Sequence, residues 1–457
     1  NLNGGTITSG ATLNIAAGAT AIHNSGGTLS VPGTINNAGV WNMEGGNIGQ
    51  PGFAGGPFAF NNLATGVVNL NGWESNTNTW HMVTSNAGTF NKNNGSTPFT
   101  FSDDFSGKSF TNQVGGVVNV NVGTMNFNVP MPVQNGTFNV ASGSTMSASV
   151  AVNFAGPAIV NNGSITAPVL RYQGTSAQQL NGTGSVTNLT IDNGAGMDLG
   201  GDQTVTNGLT LTNGQLRLGD HDLFVENNAA GAVAGGNVNS WVVNNGTGSL
   251  HRQVIGSSYT FPVGSTSYTP LTMSTTGLQD RFSVRVQDGL STNYGAPGVA
   301  TGAPITARAV DRTWVVSEQV NGGNTADITL QWNASDELPQ FNRSLCAVGL
   351  YDGTDWVTGS YAASLRPGAG SGSITGVSGF REFSVSDNLL NLNTALDEET
   401  LRPGSRLRLY PQPADAMLQV AAPNGQIVQA MRILDMRGRT ALEMNERWSG
   451  LLSIDVS

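Results

Sequence analysis

The residues of this 457-residue chain that could do chemistry are few and unevenly placed. Asp198, Asp202, Asp220 and Asp222 fall in one short stretch, with Arg217 and His221 among them. Acids beside an arginine are what a polysaccharide lyase or hydrolase needs, as paired carboxylates for proton transfer or as Ca²⁺ ligands next to an arginine base. The spacing favours a plainer reading. In a strand end Asp220 and Asp222 share a face while His221 points away, poor geometry for a metal such as zinc. Aspartates in turns also bond nearby backbone, so Asx turns are expected here, with a Ca²⁺ site as the alternative. Asp103 and Asp104 are adjacent, and neighbouring extended residues point to opposite faces, which keeps them from working as an acid-base pair. A solvated loop is expected there.

Other candidates are weaker. His23, His81 and His251 stand alone in the sequence and are expected at the surface or in turns. The single Cys346 has no internal disulfide partner and reads as a small buried residue in a strand. Gly107-Lys108-Ser109 imitates the end of a phosphate loop, but Ser102 stands where the first glycine belongs and no helix-forming stretch follows. The glycine-dense 368–376 segment lacks a strand-to-helix transition and reads as a hairpin or loop. Neither a His-Glu-x-x-His helix nor a Gly-x-Ser-x-Gly elbow occurs. The aromatic pair Trp73 and Trp80, with Glu74 and His81, lies in an irregular excursion around 71–86, where flat rings beside amides would suit a sugar face. Packing against the side of the scaffold is the alternative for either ring.

The scaffold itself is written in repeats. Ile35-Asn36-Asn37 leads to Gly39 and Val40-Trp41-Asn42-Met43. Phe60-Asn61-Asn62 leads to Gly66 and Val67-Val68-Asn69-Leu70, and Phe110-Thr111-Asn112 leads to Gly116 and Val117-Val118-Asn119-Val120. Val160-Asn161-Asn162-Gly163 reads as another copy. With Gly88 and Gly136 as weaker copies, the period is roughly 25 residues, one coil of a three-sided β-solenoid. Apolar residues two apart, such as Leu13 and Ile15, Leu29 and Val31, or Leu209 and Leu211, mark the buried side of each strand. Glycine and asparagine supply φ > 0 at corners, which accounts for most of the 62 glycines. Asparagines recurring at one register can stack their amides along the axis. Residues 1–228 are thus expected to form roughly nine coils rising about 45 Å, with Asn37, Asn62, Asn112 and Asn162 at equivalent corners.

Composition narrows the functions. Charged residues make up 11% of the chain and the net charge is −10. Residues 1–170 contain only Glu44, Glu74, Asp103, Asp104, Lys92 and Lys108 as charged groups, and every arginine lies at or after Arg171. Such a surface does not hold nucleic acid by counterion release, and anionic membrane is disfavoured on the same ground. The sequence has no run of about 18 apolar residues that would span a bilayer as a helix. The absence of a start Met and signal peptide at Asn1 fits a processed mature chain or a fragment.

Beyond the Ala/Gly/Asn-rich stretch Glu226–Asn237 the strands become longer and more aromatic, as in Phe282–Val286, Thr313–Val316 and Ile328–Trp332. This reads as an antiparallel, Ig-like β-sandwich over 238–388. A second loose segment, 388–403, precedes a small β unit at 404–457.

Leu409-Tyr410-Pro411-Gln412-Pro413, Leu418-Gln419-Val420, Ile433-Leu434-Asp435-Met436-Arg437-Gly438 and Ile454-Asp455-Val456 resemble, in order, the C-terminal sorting domain of type IX secretion substrates of Bacteroidota. That family usually has Asn where Gln412 stands, and it continues into a Gly-x-Tyr strand beyond Ser457. Val186–Ile191 with Leu209–Leu216, and Phe261-Pro262-Val263-Gly264 with Arg312-Thr313-Trp314, resemble the last solenoid coils and following sandwich of large surface proteins from the same group. The resemblance implies recognition by the type IX translocon and its shuttle, removal of the sorting unit during anchoring, and an extracellular or outer-membrane-attached location. The reading is therefore a structural or adhesive protein without catalytic residues or cofactors. An extracellular glycan and self-association through solenoid ends remain as possible partners. A polysaccharide-acting β-helix enzyme or a carbohydrate-binding module is the alternative.

Overall fold

The computed structural model describes residues 2, 5–49, 58–72, 78–95, 97–103, 107–358, 363–366 and 369–387, with five strands of the C-terminal unit at 408–410, 417–421, 431–434, 440–444 and 451–455. It is all-β, 57% strand and 3% helical, and its dominant feature is a parallel β-solenoid of about 11 turns. At roughly 4.8 Å per turn that gives a rise of about 50 Å. No helix among the described residues is long and apolar enough to cross a membrane.

Three parallel sheets form the sides. One side runs in register from Val40–Met43 through Val67–Leu70, Thr89–Lys92, Val117–Val120 and Thr137–Val140 to Ala158–Asn161. A second side stacks Asn78–His81, Phe99–Ser102, Thr124–Asn128, Thr145–Ala148 and Ser164–Thr166. The third starts with the five-stranded sheet from Thr12–Ile15 to Ser109–Asn112. It narrows to a bridge between Gln134 and Phe154, then resumes from Val152–Phe154 and Leu170–Tyr172.

Alternation puts every second side chain inside, as the period-2 pattern requires. Leu29, Val31, Leu209 and Leu211 are all buried. An aromatic file fills the middle coils, with Trp41 against Phe60 at 5.6 Å, Phe60 against Trp80 at 4.7 Å and Phe101 stacked on Phe127 at 4.9 Å.

The asparagines do stack. Buried Asn37, Asn62, Asn86 and Asn112 pass amide bonds from coil to coil at 2.8–2.9 Å. Half-buried Asn42, Asn69, Asn91, Asn119 and Asn139 do the same at 2.7–2.9 Å. These bonds also measure the coils, whose steps run 27, 22, 28 and 20 residues and fall to 19 between Asn188 and Asn207. A uniform 25-residue coil does not describe them.

The expected fourth corner is different. Asn162 is exposed, and the inward residue is Asn161, whose strand pairs on the first side in register with Val140, whereas Asn112 closes a strand of the third side. The motif has moved to another corner with its alternation shifted by one residue, which exchanges inside for outside. Gln134 ends the buried amide file, its Oε1 accepting from the Asn112 backbone N–H at 2.7 Å.

The landmark glycines serve packing and not left-handed turns. Gly39, Gly66, Gly88, Gly116 and Gly136 do not have positive φ. A Cβ on Gly88 would sit 2.2 Å from the Gly66 carbonyl, and one on Gly136 would sit 2.3 Å from that of Gly116. The stack continues at Gly156, 2.4 Å from the Gly136 carbonyl by the same measure, while Gly163 stacks on Ser144 at the next corner.

Parallel pairing does not stop at residue 228. Val233–Gly235, Val242–Val243 and Val263–Gly264 each add to an earlier coil. Leu250–Val254 is the joint: it pairs parallel with Leu223–Val225 and antiparallel with Asp280–Asp288. One sandwich sheet is thus a continuation of a solenoid side, and the other is the five-stranded sheet built from Ser258–Phe261 to Ala363–Arg366. Solenoid and sandwich form one compact unit, residues 1–393, and residues 394–457 form another. In the latter, Arg408–Tyr410, Met417–Ala421 and Leu451–Asp455 make an antiparallel sheet, and Met431–Leu434 pairs with Thr440–Met444.

Candidate functional site on the late coils

Of the late-coil acids Asp198 sits in a strand, Met197–Gly200, while Asp202, Asp220 and Asp222 lie in the turns between strands. Asp198 and Arg217 are cross-strand partners on consecutive coils. The guanidinium grips both carboxylate oxygens, Nη2 to Oδ2 at 3.2 Å, and also reaches the Ala195 carbonyl. Neither member of that pair is free to bind a metal or to accept a substrate proton without breaking the other's partnership.

The remaining acids tie one corner to the next. Asp202 Oδ1 accepts the Asp222 N–H, and Asp222 Oδ1 accepts the Ser249 N–H, both at 2.9 Å. Asp220 accepts the N–H and hydroxyl of Thr247 at 2.9 and 3.0 Å. His251 Nε2 lies 3.3 Å from Asp222, and His221 Nδ1 lies 3.8 Å from Asp202.

Burial pushes the Asp222 carboxyl up, but the nearby His251 ring, the Ser249 hydrogen bond and the charge of Arg285 outweigh it and hold the group below its usual range. Thr247's N–H and hydroxyl hold Asp220 low as well. Both favour the ionised form, whereas a general acid needs a carboxyl raised toward neutrality. Among the described residues no group of three His, Cys, Asp or Glu side chains could hold a metal ion.

Next to this corner a cavity of about 310 Å³ opens over the joint between solenoid and sandwich. Phe224 and His251 stack across neighbouring strands at 4.4 Å, and the Arg281 guanidinium lies 5.1 Å from the Phe224 ring. Arg281 is itself paired with Glu226, so the cavity presents no uncompensated arginine.

The aromatic excursion divides. Trp80 is fully buried, its indole nitrogen donating to Thr84 Oγ1 at 2.8 Å and its ring packed among Phe60, Phe90, Phe99 and Phe101. It has no face for a sugar, because Trp80 falls on the inward parity of its strand. Trp73, Glu74 and Asp104 lie outside the described residues. Asp103 accepts the Lys108 N–H at 3.1 Å as a loop brace, and the Lys108 ammonium lies 4.2 Å from the Phe58 ring centre.

The histidines expected outside are partly inside. His23 is completely buried, in register with Met43, and His81 is buried with Nε2 bonded to Thr79 Oγ1. Cys346 is buried as expected but closes the 3₁₀ turn Arg343–Leu345 and does not lie in a strand; burial pushes its thiol up to about 11. Of the sorting-motif residues, Leu409 and Tyr410 belong to the strand Arg408–Tyr410, while Pro411, Pro413, Asp435 and Gly438 lie outside the described residues.

Sequence reasoning passed over two arginines. Arg252 is buried in the joint, donating to the carbonyls of Thr260 and Ala230, and burial lowers its guanidinium to about 10. Its alternation with Leu250 and Val254 was the available signal. Arg312 is buried against Asp336 at 2.7 Å, a pairing between distant strands that no local pattern announces.

No protein-family model, no curated protein and no solved structure matches this chain.

Proposed function

We propose that the chain is a structural or adhesive protein displayed outside the cell, exported by type IX secretion through its C-terminal unit. The observation that carries the non-catalytic part is the use of the late-coil acids: Asp202, Asp220 and Asp222 accept backbone N–H groups of the next corner, and Asp198 is paired with Arg217. What supports the export part is that the residues resembling a sorting domain fall in a compact unit of their own, residues 394–457. In this reading the amide files and stacked corners keep the solenoid rigid, and the last unit addresses it to the translocon and its shuttle.

The test of the molecular role is incubation of purified protein with acidic and neutral polysaccharides, followed by reducing-end and unsaturated-product assays. No product is expected. Cleavage lost in Asp222→Asn or Asp220→Asn would overturn the structural reading in favour of a polysaccharide-acting enzyme.

A further inference from the structure

We propose that the corner groove formed by Asn213, Gln215, Arg217, Val238, Asn239 and Trp241 binds a neutral saccharide. The groove arises from a change in coil length. Between Asp198 and Arg217 the chain advances 19 residues, but between Gly214 and Ser240, which face each other across the next step, it advances 26. The extra residues form a ledge at 236–241 that overhangs the preceding corner and encloses about 510 Å³. That volume is within the range of small-molecule sites.

The ledge is rigid before any ligand arrives. Asn237 and Ser240 exchange backbone hydrogen bonds at 2.8 and 3.0 Å, Asn237 Oδ1 accepts the Asn239 N–H at 2.8 Å, and Ser240 Oγ ties the turn to the Gly214 carbonyl at 2.8 Å. Val238 is held at its tip, 65% exposed. On the opposite wall a Cβ at Gly196 would lie 2.5 Å from Arg217 Nη1, so glycine there lets the guanidinium lie flat on the corner. Preorganised walls of this kind lower the ordering cost of binding.

The chemistry selects the ligand class. Arg217 is neutralised by Asp198, so the groove offers no spare cation to a phosphate or carboxylate and no spare anion to an amine. The amides of Asn213, Gln215 and Asn239 do offer donors and acceptors along the groove, the complement of adjacent hydroxyls, each of which both donates and accepts. Val238, at the tip of the ledge, supplies apolar surface for the C–H face of a sugar ring. Trp241 is 7% exposed, and its indole nitrogen is buried with no hydrogen-bond partner among the described residues.

This inference does not depend on the export reading. The test is native electrophoresis of the whole chain through gels containing galactomannan, xyloglucan, hydroxyethylcellulose, yeast mannan or polygalacturonate. At least one neutral polymer should retard the protein. Retardation should weaken at least tenfold in Arg217→Met and in Val238→Asp, the latter an exposed change that leaves the melting curve in place, and should persist in Arg171→Met on the third side. Mobility unchanged in all neutral gels, retardation by polygalacturonate alone, or equal retardation of wild type and Val238→Asp would overturn the proposal.

Discussion

Asn62 gives up its amide hydrogens to Asn86 Oδ1 and to the carbonyls of Gly66 and Thr89, and its own oxygen accepts from Asn37. Because the file is buried, removing one member leaves donors and acceptors on both sides without partners. Asn62→Ala is therefore expected to cost about 2–4 kcal/mol, whereas Asn91→Ala in the half-buried outer file, where water can replace the amide, should cost about 1 kcal/mol or less. Denaturant melts of the two variants check the difference, and equal losses would contradict it. His23 makes a pH-dependent prediction. Burial lowers its pKa, and neither ring nitrogen has a hydrogen-bond partner among the described residues. The unfolded imidazole takes a proton near pH 6.5 while the folded one resists it, so this site destabilises the fold as pH falls below about 6.5 and is neutral above it. Intrinsic exchange slows on acidification, so the readout is the protection factor: in the strand Thr20–Ser30 it should fall between pH 7.5 and pH 5, and His23→Leu should remove most of that fall. Burial of His23 follows from strand parity, but an isolated histidine between Ile22 and Asn24 does not announce which parity its strand takes.

Strands set the limits of what the sequence reveals. Alternation at Leu29 and Val31 or Leu209 and Leu211 makes the solenoid and its inward residues legible, and repeated Asn made the amide files legible as well. The slip at Asn161 was hidden, since Val160-Asn161-Asn162-Gly163 copies the spelling of an earlier corner while occupying a different one. Local composition records the need for close backbone approach, and which side of the coil supplies it is decided by contacts some 20 residues away. Trp80 was obscured for a related reason: its coil neighbours Phe60, Phe90 and Phe101 are assembled by stacking and not by sequence proximity. Trp80→Ala should destabilise the unit by about 3–5 kcal/mol through the cavity left in this aromatic file, and Trp80→Phe by clearly less. Thermal melting measures both, and an unchanged midpoint for Trp80→Ala would place the ring outside the core.

At the scale of the molecule, the solenoid runs into the sandwich with no separate cap between them among the described residues. Leu250–Val254 covers the edge of Leu223–Val225 and pairs with the antiparallel strand Asp280–Asp288 beyond it, so each part protects the other's backbone groups. A fragment ending at residue 228 exposes the edge of Leu223–Val225 and is expected to aggregate, while a fragment ending at residue 393 keeps that edge paired and should stay dispersed in light scattering. The change of texture after Glu226 was visible in sequence, but the shared sheet was not, because its pairing sets Leu223 against Leu250, far apart along the chain. Beyond residue 393 the chain forms a second unit, where the proposed address resides. The most direct measurement is fractionation of type IX-competent cells expressing precursors with and without residues 404–457. The account predicts that the form retaining residues 404–457 reaches the surface and that the truncated form accumulates in the periplasm with the melting transition of residues 1–393 intact. Normal surface display of the truncated form would contradict the account at its centre.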